Sequence, residues 1–139
     1  MSSKSTVIRI QTKGFSDMHD ITPQAAAFLA STGIRAGLFC AFVPGATAGI
    51  TTIEYEEGAL GDLRKAIERI APADLSYDHD SRWGDGNGFS HVRAALLGPS
   101  LSVPVTEAKL RLGTWQQIIL IDFDNRPRNR EIIFEIVGE

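Results

Sequence analysis

The chain has one cysteine, Cys40, so no disulfide can form within it. It lacks a surplus of either charge: 14 Lys and Arg against 17 Asp and Glu leave a formal −3. Nonspecific nucleic-acid binding, which needs a basic face, is therefore not expected. Long hydrophobic runs are missing as well. GLFCAFVP and QQIILIDF are the longest, far short of the ~20 residues a membrane helix needs. No basic stretch followed by an apolar run opens the chain. There is no Walker loop, dinucleotide fingerprint or nucleophile elbow, and no internal repeat or low-complexity tract. These absences point to a soluble, cytoplasmic protein with no membrane and no nucleic-acid partner.

What is present suits one globular domain over residues 1–139, with 43% hydrophobic and 22% charged residues. STVIRIQTK is β-branched and partly alternating, and predicts a first strand. ITPQAAAFLASTG predicts a helix, with Thr22 as N-cap, Pro23 in the first turn and Gly33 past the end; Ala25, Phe28 and Leu29 face the core. RAGLFCAFVP and TAGITTIEY read as a strand pair around a Pro44–Ala46 turn. GALGDLRKAIERIAP is the clearest helix, with Leu60, Leu63, Ile67 and Ile70 at helical spacing and a solvated charged face. LSVPV, KLRLG, QQIILIDFD and REIIFEIVG close the chain as four short strands; Pro104 suggests an edge or bulge in the first. Tight joins among these strands leave no room for crossover helices. The fold class is α+β.

Between the second helix and these strands lies Tyr77–Ser100, read as a long loop without regular structure, apart from a helical turn after His91. Loops of that length in a compact domain tend to be functional or disordered. This one places His79 between Asp78 and Asp80, and His91 twelve residues later. Gly84, Gly86 and Gly88 allow close backbone approach, and Asp85 adds a carboxylate. A carboxylate beside an imidazole can fix its tautomer and raise its basicity. Arg93 and Ser100 bring guanidinium and hydroxyl donors suited to phosphate or carboxylate. Arg82 stands where a calcium loop needs an oxygen ligand, which argues against that motif. Three readings are open: hydrogen-bonded loop residues, a metal site completed by a carboxylate, or acid/base and anion-binding groups without metal. The remaining candidates read as structural. His19 belongs to a solvated approach to the first helix, Cys40 is a small core residue, and Trp115 packs at the start of a strand.

The run YDHD…SHVRAALLGPSLSVPV…LRLGTWQQIILIDFD…VGE, with FVPGATAGITTIEYEEG upstream, strongly resembles the YjbQ family over nearly the whole chain. The resemblance implies two helices with a roughly seven-stranded sandwich of two sheets, assembled as a homotrimer with apolar strand faces between subunits. It also implies a secondary thiamine-phosphate-synthase activity, which joins two phosphorylated heterocycles and releases pyrophosphate. Typical relatives read HTS or HTT where this chain has Gly45-Ala46-Thr47. A three-histidine metal site therefore cannot be carried over. A two-histidine site, His79 and His91, completed by Glu54, Asp80 or water, remains. The expected catalytic set is His79, His91, Glu54 and Asp80. Thr47, Arg93, Ser100 and Gln116 are the expected ligand contacts. His79 and His91 are the expected ligands for a divalent metal, magnesium or zinc. The function expected is an enzyme on a small phosphorylated metabolite. The alternative is a noncatalytic trimeric module that binds a small anionic metabolite or a metal.

Overall fold

Alternating β-branched residues open the chain, and in the computed structural model, which describes residues 1–139, they form β1 (Ser2–Thr12). A tight turn with Gly14, Phe15 and Ser16 all at positive φ carries the backbone into β2 (Asp17–Asp20). Then come α1 (Thr22–Thr32), β3 (Gly37–Phe42), β4 (Ala48–Ile53), α2 (Glu57–Ile70), α3 (Asp78–Trp83) and α4 (Gly88–Leu97). The chain closes with β5 (Ser100–Thr106), β6 (Lys109–Leu110), β7 (Gln117–Asp122) and β8 (Arg128–Gly138).

The strands form two antiparallel sheets, β1-β8-β3-β5-β6 and β2-β7-β4. The α+β sandwich is thus the observed class. Helix α1 and helix α2 are the two predicted from periodicity. Two further helices, α3 and α4, occupy the segment expected to be a loop. β3 and β4 are strands as expected but are not paired with each other. β3 lies between β8 and β5, whereas β4 pairs with β7 in the other sheet. The Pro44–Ala46 connection therefore crosses between sheets instead of closing a hairpin.

β7 explains the apolar run IILI, because both of its faces are covered. Ile118 and Leu120 meet Phe39, Phe134, Ile132 and Ile136 of the large sheet, with Ala25 and Leu29 of α1. Ile119 and Ile121 meet Leu60 of α2 and Ala94 of α4 on the other side. A strand buried on both faces loses the in–out alternation and reads as continuous hydrophobicity.

Four local expectations are corrected. Thr22 is not the N-cap of α1; Ile21 holds that place, and the Thr22 hydroxyl accepts from the Ile118 amide at 2.7 Å, tying α1 to β7. His19 lies within β2, where its Nε2 is 2.8 Å from Asp17 Oδ2. Cys40 points outward from β3 and is half-buried, since the core positions of that strand are Phe39 and Ala41. Trp115 is 72% exposed because it sits in the turn before β7, outside the sandwich. No helix is long and apolar enough to cross a membrane.

Candidate functional site

The α3–α4 corner is stitched to the end of β7 by side chains whose backbone neighbours would otherwise be unpaired. The Tyr77 hydroxyl donates to Pro72 O at 2.7 Å, which anchors the entry to α3; burial pushes its pKa above the ordinary value, so it stays a donor. Asp80 Oδ1 accepts from the Gly88 amide at 2.8 Å and so satisfies an open donor at the start of α4. Asn87 joins the two layers. Its Oδ1 accepts from Ser90 Oγ at 2.6 Å and from the Asn125 amide at 3.1 Å, and its Nδ2 donates to Asp124 Oδ2 at 3.2 Å. The Asn125 side chain returns the contact, donating to Asp85 O at 2.8 Å.

This stitching brings His79 of α3 against His91 of α4. Their ring centroids are 4.3 Å apart with planes inclined at 37°. His79 Nδ1 is buried and has no hydrogen-bond partner. It lies 3.5 Å from Asp85 Oδ1 and 3.8 Å from Asp80 Oδ1, both beyond normal hydrogen-bond length. One ligand atom from each of these three residues falls within 4.8 Å of the others. Two ligands on a tetrahedral zinc ion at about 2.1 Å are about 3.4 Å apart. The two histidine–carboxylate distances are close to that value, and the three atoms together span up to 4.8 Å, so an ion held by all three would draw them closer. One nitrogen with two carboxylate oxygens fits a zinc-type ion more closely than magnesium, which prefers oxygen ligands and keeps several waters.

The other predicted residues lie elsewhere within the protomer. Thr47 is buried beneath the β3–β4 crossing; its hydroxyl donates to Asp124 Oδ2 at 2.9 Å and accepts from Arg130 Nη2 at 2.6 Å. Arg93 is separated from the histidines because its own helix turns it toward α2. There its Nε donates to Ala71 O at 2.9 Å, Nη1 donates to Ser16 Oγ at 3.3 Å, Nη2 pairs with Glu68, and the guanidinium lies over Phe89. Ser100 and Gln116 line a different cleft of about 290 Å³ between the edges of the two sheets, with Thr51, Thr52 and Arg111. Gln116 Nε2 donates to Thr52 Oγ1 at 3.2 Å there. Glu54 follows β4 at that end, about 20 Å along the strand from Thr47.

Sequence reasoning passed over a buried polar group under the same corner. Asp122 and Asp124 are fully buried. Arg130 donates to Asp122 through Nε at 2.6 Å and Nη2 at 2.9 Å, and Thr12 Oγ1 donates to Asp122 at 2.6 Å. Arg128 Nη2 is 3.0 Å from Asp124 Oδ2. Burial alone would raise the Asp124 pKa, but hydrogen bonds from Thr47, Arg128 and Asn87 together hold it below the ordinary carboxylate value. The signal was available: two acids and three arginines fall together in IDFDNRPRNR, between the apolar runs of β7 and β8.

An antiparallel α+β sandwich with a histidine–carboxylate centre at the joint between its helices and the end of its inner sheet is thus defined. The family model described as "UPF0047 protein YjbQ-like" matches residues 6–139, and the chain belongs to that family. A UPF0047 protein of Methanothermobacter thermautotrophicus is 39% identical over 123 residues, covering 88% of this chain and 84% of its own. The UPF0047 protein YugU of Bacillus subtilis is 35% identical over 132 residues, covering 94% of this chain and 97% of its own. Among solved structures, a YbjQ-like protein of unknown function from Sulfolobus solfataricus superposes with a TM-score of 0.89 at 32% identity, over 99% of this chain and all of the other.

Proposed function

We propose that the chain is an enzyme acting on a small phosphorylated metabolite, with a divalent ion held by His79, Asp80 and Asp85 and with His91 beside it. The observation that carries this reading is the buried, partnerless His79 Nδ1 facing two carboxylates at 3.5 and 3.8 Å, under the His91 ring. A bound ion would supply positive charge against a phosphate or diphosphate as negative charge develops on it. His91 is placed to hold or move a proton at a ring nitrogen next to that charge. Group transfer with an anionic leaving group is the reaction class, in keeping with the thiamine-phosphate-synthase-like activity that the family resemblance implies. Thr47 supports the corner from below through Asp124, whereas Arg93 ties α4 to α2 away from the histidines. The Ser100–Gln116 cleft near Glu54 is a second place for polar ligand groups. We further propose a cytoplasmic homotrimer, the assembly being supported by the exposed apolar residues on the outer face of the five-stranded sheet.

The test is calorimetric titration of zinc and magnesium into metal-stripped protein. Wild type is expected to bind zinc at one site per chain, and His79→Ala to weaken that binding by roughly 100-fold or more. Equal zinc affinity in wild type, His79→Ala and Asp85→Ala would remove the centre. Turnover of phosphorylated heterocycles is then assayed with and without metal. Metal binding without turnover of any of them would favour the noncatalytic module instead.

A further inference from the structure

We infer that the hollow between the β1–β2 turn and α2 binds a planar heterocycle carrying a phosphate. The hollow holds about 320 Å³ and is separate from the histidine–carboxylate centre. Phe89 and Arg93, both in its lining, stand two residues to either side of His91 in α4. A step of two residues turns a helix by about 200°. The hollow therefore lies on the face of α4 turned away from the histidines.

Its charge selects the anion. Arg64, Lys65 and Arg93 line it together with one carboxylate, Glu68, a surplus of two positive charges. Glu68 is paired with Arg93, and the buried Arg93 guanidinium also donates to Ala71 O and Ser16 Oγ. The uncommitted charge is thus that of Arg64 and Lys65, consecutive and exposed on α2. Arg64 is oriented by its Nε, which donates to Ser16 O at 3.3 Å. A phosphate monoester carries close to two negative charges at neutral pH, and so matches that surplus better than a carboxylate does. Phe15 selects the ring. Its φ of +54° is uncommon for a bulky side chain and costs free energy. Burial of the ring would offset that cost, yet Phe15 is 64% exposed. The turn that carries it is fixed: the Phe15 amide donates to Asp124 O at 2.8 Å, and Ser16 is held by Arg64 and Arg93. A phenyl ring kept in water on a fixed turn, in the wall of a cationic hollow, is a platform for stacking a planar ring. The Arg93 guanidinium over Phe89, 4.8 Å from the ring centroid, supplies a second flat surface in the same lining.

The experiment titrates adenosine monophosphate and, separately, inorganic phosphate into chelator-treated, full-length protein at low salt, following backbone amide shifts. Saturable shifts at Phe15, Ser16 and Lys65 are expected with both, the nucleotide binding more tightly by about tenfold or more. Phe15→Gly removes the ring and suits the left-handed backbone, so the fold is kept. It should weaken the nucleotide by about tenfold and leave phosphate affinity unchanged. Lys65→Glu, on the exposed side of α2, should weaken both. Absence of saturable shifts with the nucleotide, or equal nucleotide affinity in wild type and either variant, overturns the inference. A nucleotide bound no more tightly than phosphate overturns it as well, because the ring then adds nothing. Failure of zinc to bind while the nucleotide still saturates would instead overturn the metal centre and leave this site standing.

Discussion

Asp124 is fully buried, yet its Oδ2 accepts from Thr47 and Asn87 and lies 3.0 Å from Arg128 Nη2. Its folded pKa sits below the ordinary carboxylate value of about 3.9. A depressed folded pKa adds stability that is present above the unfolded value and is lost as pH falls through the folded one. Asp17, with its carboxylate bonded to the Lys13 amide and to His19, is shifted in the same direction, these bonds outweighing the upward push of burial. The urea midpoint should therefore hold steady near neutrality and fall on acidification below about pH 4. Asp124→Asn should lower stability at pH 7 by about 1–3 kcal/mol and make the acid limb shallower; an unchanged limb would show that Asp124 does not set it. At this scale His79 and His91 were legible, because imidazoles flanking carboxylates in a glycine-rich stretch are chemically conspicuous. Arg93 was legible as a donor but not in its place: one helical turn decides whether a side chain faces the histidines or α2, and sequence spacing alone cannot choose. Since Glu68 stays half in solvent when Arg93 is removed, Arg93→Ala should cost about 1–3 kcal/mol and leave zinc affinity unchanged, a split that calorimetry and urea unfolding read separately.

The helices α3 and α4 show why an element can be missed while its residues are noticed. Gly84, Gly86 and Gly88 depress helix propensity across the segment, and α3 is only six residues long. Local preference therefore reads as loop. Order comes instead from bonds reaching across the fold, chiefly through Asn87 to Asp124 and Asn125. The same limit applies to β3 and β4. Both were visible as strands, but strand partners are set by contacts with β7 and β8, some 70 to 100 residues away, which periodicity does not encode. If Asn87 holds the corner, Asn87→Ala leaves the Asn125 amide without its acceptor and takes a donor from buried Asp124. It should cost about 1–3 kcal/mol, speed amide exchange across α3 and the start of α4 more than in β7, and weaken zinc binding through the loosened His79. Uniform exchange throughout the molecule would mean that the corner has no separate stability and is held by the core alone.

For the whole molecule, the outer face of the five-stranded sheet carries apolar side chains that no other element of the chain covers. Val7, Ile133 and Phe42 form one row across β1, β8 and β3. Val137 and Leu38 form a second row on β8 and β3, four residues further along each strand. Val7, Leu38, Phe42 and Val137 are each 40–49% exposed. Arg9 with Glu131, and Ser3 with Glu135, lie among and beside these rows. An apolar patch with polar groups at its margin is the usual anatomy of a subunit interface. In the proposed homotrimer this face is covered. Phe42→Glu would place a charge at its centre without disturbing the inner core, because Phe42 points away from Phe39 and Ala41. The wild-type chain should sediment as a trimer and Phe42→Glu as a monomer of unchanged secondary structure. The histidine–carboxylate centre is built from α3 and α4 of one chain, so each Phe42→Glu monomer should still bind zinc. If zinc binding disappears with the trimer, a neighbouring chain contributes a ligand that one protomer does not contain. If wild type itself sediments as a monomer, the apolar face serves some purpose other than self-association.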